Sequence, residues 1–162
     1  MYALTGASGQ LGRRVLHHLR RYIPFDQVIA LTRTPARLAD GAAAADGAAA
    51  GVTVRRADFT DPATLPAAFV GVTRLLIIST DDVMSGKRAG HHQAAVEAAV
   101  AAGVAHIVYT SFVGADAGAV HPISQDHRLT EAALAASGVA WTALRNNAYA
   151  EAPLCPWPGA LG

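Results

Sequence analysis

Short apolar runs alternate with segments of helical periodicity along most of the chain. Six runs predict strands, at residues 1–4, 28–31, 52–57, 74–79, 105–110 and 139–144. Helical patterns lie between them, at residues 10–22, 35–40, 91–102 and 124–137, and a further helix is predicted to start at Asp61 and Pro62. Continuous apolar runs such as 28–31 and 75–78 are typical of parallel strands covered on both faces. The alternation predicts an α/β fold, a doubly wound parallel sheet of order 3-2-1-4-5-6 between two layers of helices.

The first helical segment has a clear apolar periodicity. Leu11, Val15, Leu19 and Tyr22 recur at spacings of three and four residues, and Pro24 follows them. Because residues at this spacing share one side of a helix, we expect all four to form the buried face of a helix over 10–22.

A glycine-rich turn joins the first strand to this helix. Gly6, Gly9 and Gly12 form the pattern G-x-x-G-x-x-G at residues 6–12. This order predicts a Rossmann-type dinucleotide site, because the turn lets a pyrophosphate approach the free N–H groups that begin the helix. A tight turn without a ligand is the alternative. The turn lacks the G-K-[ST] ending of a P-loop and the G-x-S-x-G of a nucleophile elbow, which disfavours nucleotide hydrolysis and hydrolase chemistry.

Arg33 occupies the position that decides between the two nicotinamide cofactors. It follows the second strand, about twenty residues beyond the glycine turn, where a carboxylate usually binds the ribose hydroxyls of NAD. A guanidinium pairs well with a 2′-phosphate instead, so this position favours NADP, with a solvated surface arginine as the alternative.

Polar residues follow the other strands at the same predicted edge of the sheet. Ser79 and Thr80 should lie along the pyrophosphate and the nicotinamide ribose, and Thr110 near the nicotinamide ring. Asp58 has two interpretations of equal weight, a contact with the adenine edge or the cap of a turn. For His127 we favour a solvated surface or a structural hydrogen bond over a place in the cleft.

Composition narrows the class of protein further. The chain has 162 residues, enough for one domain, and a net charge of +1 without a basic stripe that would indicate nucleic acid. Its one cysteine, Cys155, excludes an internal disulfide. We see no leader peptide and no apolar run long enough to cross a membrane. We therefore expect a cytoplasmic protein that binds neither nucleic acid nor a membrane. The histidine pairs 17–18 and 91–92 do not form a ligand set, and we expect no metal.

Several motifs occur together in an order that resembles a known family. They are residues 5–12 (TGASGQLG), 31–33 (LTR), 57–61 (ADFTD), 109–111 (YTS), His127 with residues 130–131 (TE), and 144–147 (LRNN). Over about residues 1–151 the chain resembles the atypical short-chain dehydrogenases of the NmrA-like group, and most of all the type 2 NAD(P)H:quinone oxidoreductases.

This resemblance implies a bound NADP(H) and direct hydride transfer from the nicotinamide to a stacked quinone. No catalytic residue is assigned; Asn147 and Tyr149 are the candidates near the nicotinamide. The cofactor-binding set predicted from the turn, the strand ends and the resemblance together is Gly6, Ala7, Ser8, Gly9, Gln10, Leu11, Arg33, Asp58, Ser79, Thr80 and Thr110. The expected partner is a small quinone-like acceptor, and a homodimer is left open.

The chain departs in two ways from the patterns of the short-chain dehydrogenases that it resembles. A tyrosine four residues before a lysine is absent, as in the NmrA-like group, so ordinary alcohol oxidation lacks its acid–base pair. Members of the group continue beyond the sixth strand, whereas here residues 152–162 form a proline-rich stretch that we expect to be irregular. We therefore expect a cofactor domain at 1–151, with the chain either a fragment or carrying a replacement tail.

Two classes of function follow from this interpretation. The first is an NADPH-dependent reductase of a quinone-like acceptor. The second is a non-catalytic NADP-binding redox sensor, or an inactive fragment, and fold alone does not separate them. Because the family encloses the nicotinamide with its later region, we expect this chain to bind NADPH but to reduce quinones poorly or not at all.

Overall fold

The computed structural model describes residues 1–39, 51–83, 85–116, 118 and 121–149. The predicted irregular stretch at 152–162, including Cys155, lies outside these residues. The described residues form six strands: β1 (Tyr2–Leu4), β2 (Val28–Thr32), β3 (Thr53–Arg56), β4 (Arg74–Ile77), β5 (His106–Phe112) and β6 (Ala140–Asn146). They form five α-helices: α1 (Gln10–Leu19), α2 (Ala36–Ala39), α3 (Leu65–Ala68), α4 (Arg88–Ala101) and α5 (Pro122–Ala136).

All six strands belong to one parallel sheet. Its order is β3-β2-β1-β4-β5-β6, which confirms the predicted topology. The chain moves outward from β1 to β3, then returns to the other side of β1 with β4. Leu4 at the end of β1 therefore lies between Ala30 and Leu76. This reversal creates a switch point at the carboxyl ends of β1 and β4, where an open α/β sheet has its crevice.

Two separate apolar clusters cover the two faces of the sheet. On one face, Leu16 of α1 and Leu38 of α2 pack with Val28 and Ala30 of β2. On the other face, residues of α3, α4 and α5 pack against the alternate strand positions, and Leu134 of α5 is completely buried there. β2 is buried at every position because helices cover it on both sides. The arrangement is the expected three-layer sandwich.

The prediction for the first helix was wrong in its length and in the burial of Tyr22, whereas Val15 and Leu19 are half-buried and pack against the core cluster. α1 ends at Leu19, and Tyr22 lies in the following turn with 81% of its surface exposed. Leu16 is the residue that is completely buried, one turn after the buried Gly12. The helix approaches the sheet through Gly12, so the side that contains residues 12 and 16 is the one that faces the core.

The fourth helix begins three residues earlier than the apolar pattern predicts. α4 starts at Arg88, so Arg88 and His92 belong to one helix and lie one turn apart. Both side chains are buried. The apolar periodicity misses this first turn because its buried side chains are polar. Among the described residues, no helix combines the length and apolar character that crossing a bilayer would require.

Candidate dinucleotide site

The glycine turn has the backbone geometry that its sequence predicts. Gly6 adopts a φ of 63°, a left-handed conformation that a residue with a side chain rarely adopts. The Gly9 N–H donates to the Gly6 carbonyl oxygen at 2.9 Å, which closes the turn, and the Ala7 N–H donates to the carbonyl of Leu31 in β2 at 3.0 Å. Gly9 is the N-cap of α1 and is exposed. Gly9 gives the first turn of α1 no side-chain cap, so the N–H groups at this helix start have no capping side chain as a partner.

Gly12 is the tightest point of this region. A Cβ atom at Gly12 would lie 2.2 Å from the Gly6 carbonyl oxygen and 2.7 Å from the Ala7 Cα. The glycine at this position therefore lets the helix pack closely against the turn that follows β1. At Gly9 a Cβ would lie 3.2 Å from the same oxygen of Gly6. Glycine at positions 6, 9 and 12 therefore keeps the turn and the helix start free of a Cβ atom at three points.

Hydroxyl groups tie the turn to both neighbouring strand ends. Thr5 Oγ1 accepts from the N–H of Ile78, just after β4, at 2.9 Å. Ser8 Oγ and Thr32 Oγ1, at the end of β2, form a hydrogen bond of 2.8 Å. These bonds join three strand ends around the crevice. Ser8 was predicted as a cofactor residue, and this bond holds its side chain toward β2.

Arg33 and Asp58 lie beyond β2 and β3, at the same edge. Arg33 is exposed directly after Thr32, next to the glycine turn. The carboxylate of Asp58 accepts from the backbone N–H of Thr60 at 3.0 Å and from its hydroxyl at 2.7 Å. Of the two interpretations of Asp58, the structure thus contains the turn cap.

The predicted residues after β4 and β5 meet across the strand ends. The Ser79 N–H donates to Thr110 Oγ1 at 2.9 Å, and the Thr110 hydroxyl reaches Ser79 Oγ at 3.3 Å. Thr80 follows and is half-buried. Its backbone N–H and its carbonyl oxygen are hydrogen-bonded to side chains of α4. Ser79, Thr80 and Thr110 are therefore brought together beside the glycine turn, on the β4 side of the switch point.

A buried polar cluster beneath this edge was not predicted as a unit. It consists of His92 from α4, Tyr109 from β5, and His127 and Thr130 from α5. Tyr109 Oη lies 2.7 Å from His127 Nδ1, and His92 Nδ1 lies 3.0 Å from Thr130 Oγ1. His127 thus makes the structural hydrogen bond that was one of its predicted alternatives. The sequence signal was weak because these residues meet only when α4 and α5 pack together.

Burial determines the ionisation of this cluster. It lowers the pKa of His92 to about 3, with the nearby Arg88 charge acting in the same direction. Burial and the same charge lower the pKa of His127 to about 4. Burial also raises the pKa of the Tyr109 phenol. All three side chains are therefore neutral at physiological pH.

An ion pair between the half-exposed Arg145 and the buried Glu131 positions the last described strand. Arg145 of β6 donates to both carboxylate oxygens of Glu131 in α5, at 3.0 and 2.7 Å, and Ser111 donates to the same carboxylate at 2.6 Å. Burial opposes the charge, but these hydrogen bonds prevail and hold the pKa of Glu131 below its usual range. The two residues predicted to lie near the nicotinamide come directly after β6. Asn147 and Tyr149 are exposed, and the Tyr149 hydroxyl accepts from the Asn146 side-chain amide at 2.8 Å.

Over the part of the chain that the structure describes, no group of three or more histidine, cysteine or acidic side chains has a geometry suited to a metal ion. The chemistry of this edge is instead that of a phosphate cradle. Its glycine turn and the helix start without a side-chain cap fit a pyrophosphate, and the exposed Arg33 that follows β2 fits a further phosphate.

The fold and this cradle define a dinucleotide-binding protein of the doubly wound α/β class. The family model described as NAD(P)H-binding matches residues 6–154, and the chain belongs to this family.

Two proteins of similar sequence are oxidoreductases by name. The chain is 44% identical to quinone oxidoreductase 2 of Escherichia coli over 161 residues, covering 99% of this chain and 53% of that protein. It is 35% identical to an NmrA-like family domain-containing oxidoreductase of Aspergillus flavus, covering 93% of this chain and 48% of that protein. The NmrA-like resemblance is thereby confirmed. The chain spans about half the length of these relatives.

Solved structures show the same fold. The NADPH complex of the Escherichia coli quinone oxidoreductase superposes with a TM-score of 0.82 at 43% identity, over 95% of this chain and 51% of that one. A triphenylmethane reductase of Citrobacter sp. in complex with NADP(H) superposes with a TM-score of 0.82 at 36% identity, over 92% of this chain and 50% of that one.

Proposed function

We propose that this chain binds NADPH at the β1–β4 switch point and takes part in hydride transfer to a quinone-like acceptor. The observation that carries the proposal is the glycine cradle. Gly6 and Gly9 leave the turn open, and the uncapped first turn of α1 provides N–H groups for the pyrophosphate. The relatives solved with NADPH and with NADP(H) support the choice of cofactor.

Arg33 provides the proposed preference for NADPH over NADH. Its guanidinium follows β2 at the position where the adenine ribose lies in this class of site, and it is exposed to solvent. A charge-assisted contact with the 2′-phosphate is available there, whereas a free ribose diol gains little from an arginine.

The nicotinamide half is assigned to the β4 and β5 side of the switch point. Ser79, Thr80 and Thr110 meet there, and Asn147 and Tyr149 follow β6. When bound, the reduced nicotinamide supplies the hydride. This chain has no tyrosine–lysine pair at the ordinary spacing, and Tyr109 is completely buried. The proposed role of the protein is therefore orientation rather than proton donation by a phenol.

Binding and turnover can be tested separately. Isothermal titration calorimetry with NADPH and NADH measures the binding step, and stopped-flow oxidation of bound NADPH by a simple benzoquinone, against an enzyme-free control, measures transfer. We expect tight NADPH binding, weaker NADH binding and acceptor-dependent oxidation. Binding without oxidation would favour the non-catalytic redox sensor, and absence of NADPH binding would contradict both functions.

A further inference from the structure

The backbone N–H and the backbone carbonyl of Thr80 are both bonded to side chains of one helix, α4. Its N–H donates to His92 Nε2 at 3.0 Å, and its carbonyl oxygen accepts from Arg88 Nε at 2.9 Å. Arg88 and His92 lie four residues apart on α4, so both side chains project from the same side of the helix. They thus hold the two consecutive peptide groups on either side of the Thr80 Cα, in the segment that leaves β4.

The hydrogen-bond partners of His92 define its tautomer. A backbone N–H can only donate, so Nε2 must present its lone pair to Thr80 and the proton must reside on Nδ1. Thr130 Oγ1 lies 3.0 Å from Nδ1 and donates its own hydrogen to the carbonyl of Asp126 at 2.9 Å, so it accepts from His92. The side chain on α5 thereby orients the imidazole toward Thr80.

Burial of the charged Arg88 side chain opposes folding. Only 4% of its surface is exposed, and its Nη1 has no hydrogen-bond partner among the described residues. An unpaired buried donor opposes folding, and an apolar side chain of similar length would avoid that cost. The guanidinium therefore contributes little net stability, and the bond from its Nε to the Thr80 carbonyl gives it a specific use.

We propose that Arg88 and His92 are positioning residues that fix the backbone of Thr80, through the peptide groups on either side of its Cα, in the conformation that the nicotinamide half of NADPH requires. Their action is indirect, since both side chains lie beneath the strand ends. The inference rests on the proposed function, because Thr80 is assigned to that half of the cofactor. The adenine half is assigned to the glycine turn and Arg33, whereas the hydrogen bonds of Arg88 and His92 join Thr80, Tyr109 and Thr130.

The two halves of the cofactor allow a direct test. NADPH and adenosine 2′,5′-bisphosphate, which retains only the adenine half, are titrated calorimetrically into the wild type, Arg88→Met and His92→Ala. We expect each variant to lose about five- to tenfold in NADPH affinity, the effect of one lost hydrogen bond, and to keep its affinity for the bisphosphate. His92→Gln should restore NADPH binding because its Oε1 can accept from Thr80.

Gln93→Ala is the matched control, since Gln93 is exposed on the same helix and bonds to Glu97. It should bind both probes like the wild type. Equal losses for the two probes in Arg88→Met and His92→Ala would mean that the residues only stabilise the fold, and unchanged NADPH affinity would also overturn the proposal. A wild type that binds neither probe would instead refute the proposed function.

Hydrogen exchange tests the grip on Thr80 without any cofactor. The Thr80 amide should exchange faster in His92→Ala than in the wild type, and His92→Gln should return the rate toward the wild-type value. Amides in the middle of β4 and β5 serve as the reference for global stability. If the Thr80 amide stays as protected in His92→Ala as in the wild type, His92 does not hold the Thr80 backbone and the proposal is wrong.

Discussion

Gly12 packs directly against the carbonyl group of Gly6. The Cβ position of Gly12 lies 2.2 Å from the Gly6 oxygen, closer than any real Cβ contact, and the next neighbour is the Ala7 backbone. Neither neighbour is a flexible side chain that could move aside. The start of α1 and the glycine turn are therefore held in one arrangement, and the cradle depends on it.

Replacing Gly12 with alanine should destabilise the protein although alanine favours helices. The propensity gain of about 1 kcal/mol is smaller than the cost of shifting the backbone, so the free energy of unfolding should fall by about 1–3 kcal/mol. NADPH affinity should fall as well, because α1 must move away from the turn. Urea denaturation and calorimetric titration measure the two effects.

Gly90→Ala provides the control for this substitution. Gly90 is also within a helix, but a Cβ atom there would meet nothing within 4 Å. This variant should gain up to about 1 kcal/mol from helix propensity and bind NADPH normally. If Gly12→Ala were as stable as Gly90→Ala, the close contact in the turn would not be a real constraint.

Arg33→Ala should weaken NADPH binding and leave NADH binding almost unchanged. Loss of a charge-assisted contact costs about 1.5–3 kcal/mol, which corresponds to about one to two orders of magnitude in affinity. Arg74→Ala, an exposed arginine at the opposite, amino end of β4, is the matched control. Calorimetric titration with both cofactors decides the question. Equal losses for NADPH and NADH would show that the preference has another source.

Arg145→Gln should destabilise the connection between β6 and α5. It leaves the Glu131 carboxylate largely buried with only the Ser111 hydroxyl as a partner. Since Arg145 itself is half-exposed, we expect a small loss in the free energy of unfolding rather than the larger cost of breaking a fully buried pair. A double-mutant cycle with Glu131→Gln, measured by urea denaturation, isolates the pair. A coupling free energy near zero would contradict the assignment.

The sheet order and the glycine turn were predictable because their signals are local. Apolar runs, their spacing and the glycine pattern each lie within a dozen residues, and right-handed crossovers leave few alternative topologies. Tyr22 was wrongly predicted to be buried because the apolar periodicity of the sequence continues past Leu19, where α1 ends. Apolar patterns do not encode where the backbone approaches the core, and here Gly12 decides it.

The polar interior was not predictable from local patterns. His92 and Thr130 are separated by 38 residues, and their hydrogen bond exists only because α4 packs against α5. Arg88 preceded the predicted start of its helix, between Lys87 and Ala89, and no apolar periodicity around it indicated burial. A histidine at the i+4 position from an arginine is equally compatible with a solvated surface. Only tertiary structure distinguishes the two.

The two buried neutral histidines should make the protein sensitive to mild acid. In the unfolded chain a histidine titrates near pH 6.5, whereas in the folded protein the pKa of His92 is lowered to about 3 and that of His127 to about 4. Below about pH 6.5 the unfolded chain therefore takes up protons that the folded protein does not. The free energy of unfolding should fall by up to about 1.4 kcal/mol per pH unit for each histidine.

Urea denaturation between pH 7.5 and 4.5 measures this slope. His92→Gln and His127→Gln should each remove about half of it, and the double variant should remove nearly all of it above the range where carboxyl groups titrate. The groups around the two rings are Arg88, His91, Tyr109, Asp126 and Glu131. The Arg88 charge opposes protonation of both rings, so Arg88→Met should reduce the slope by raising both folded-state pKa values. A slope that is the same in the wild type and the double variant would show that neither histidine is held neutral by the fold.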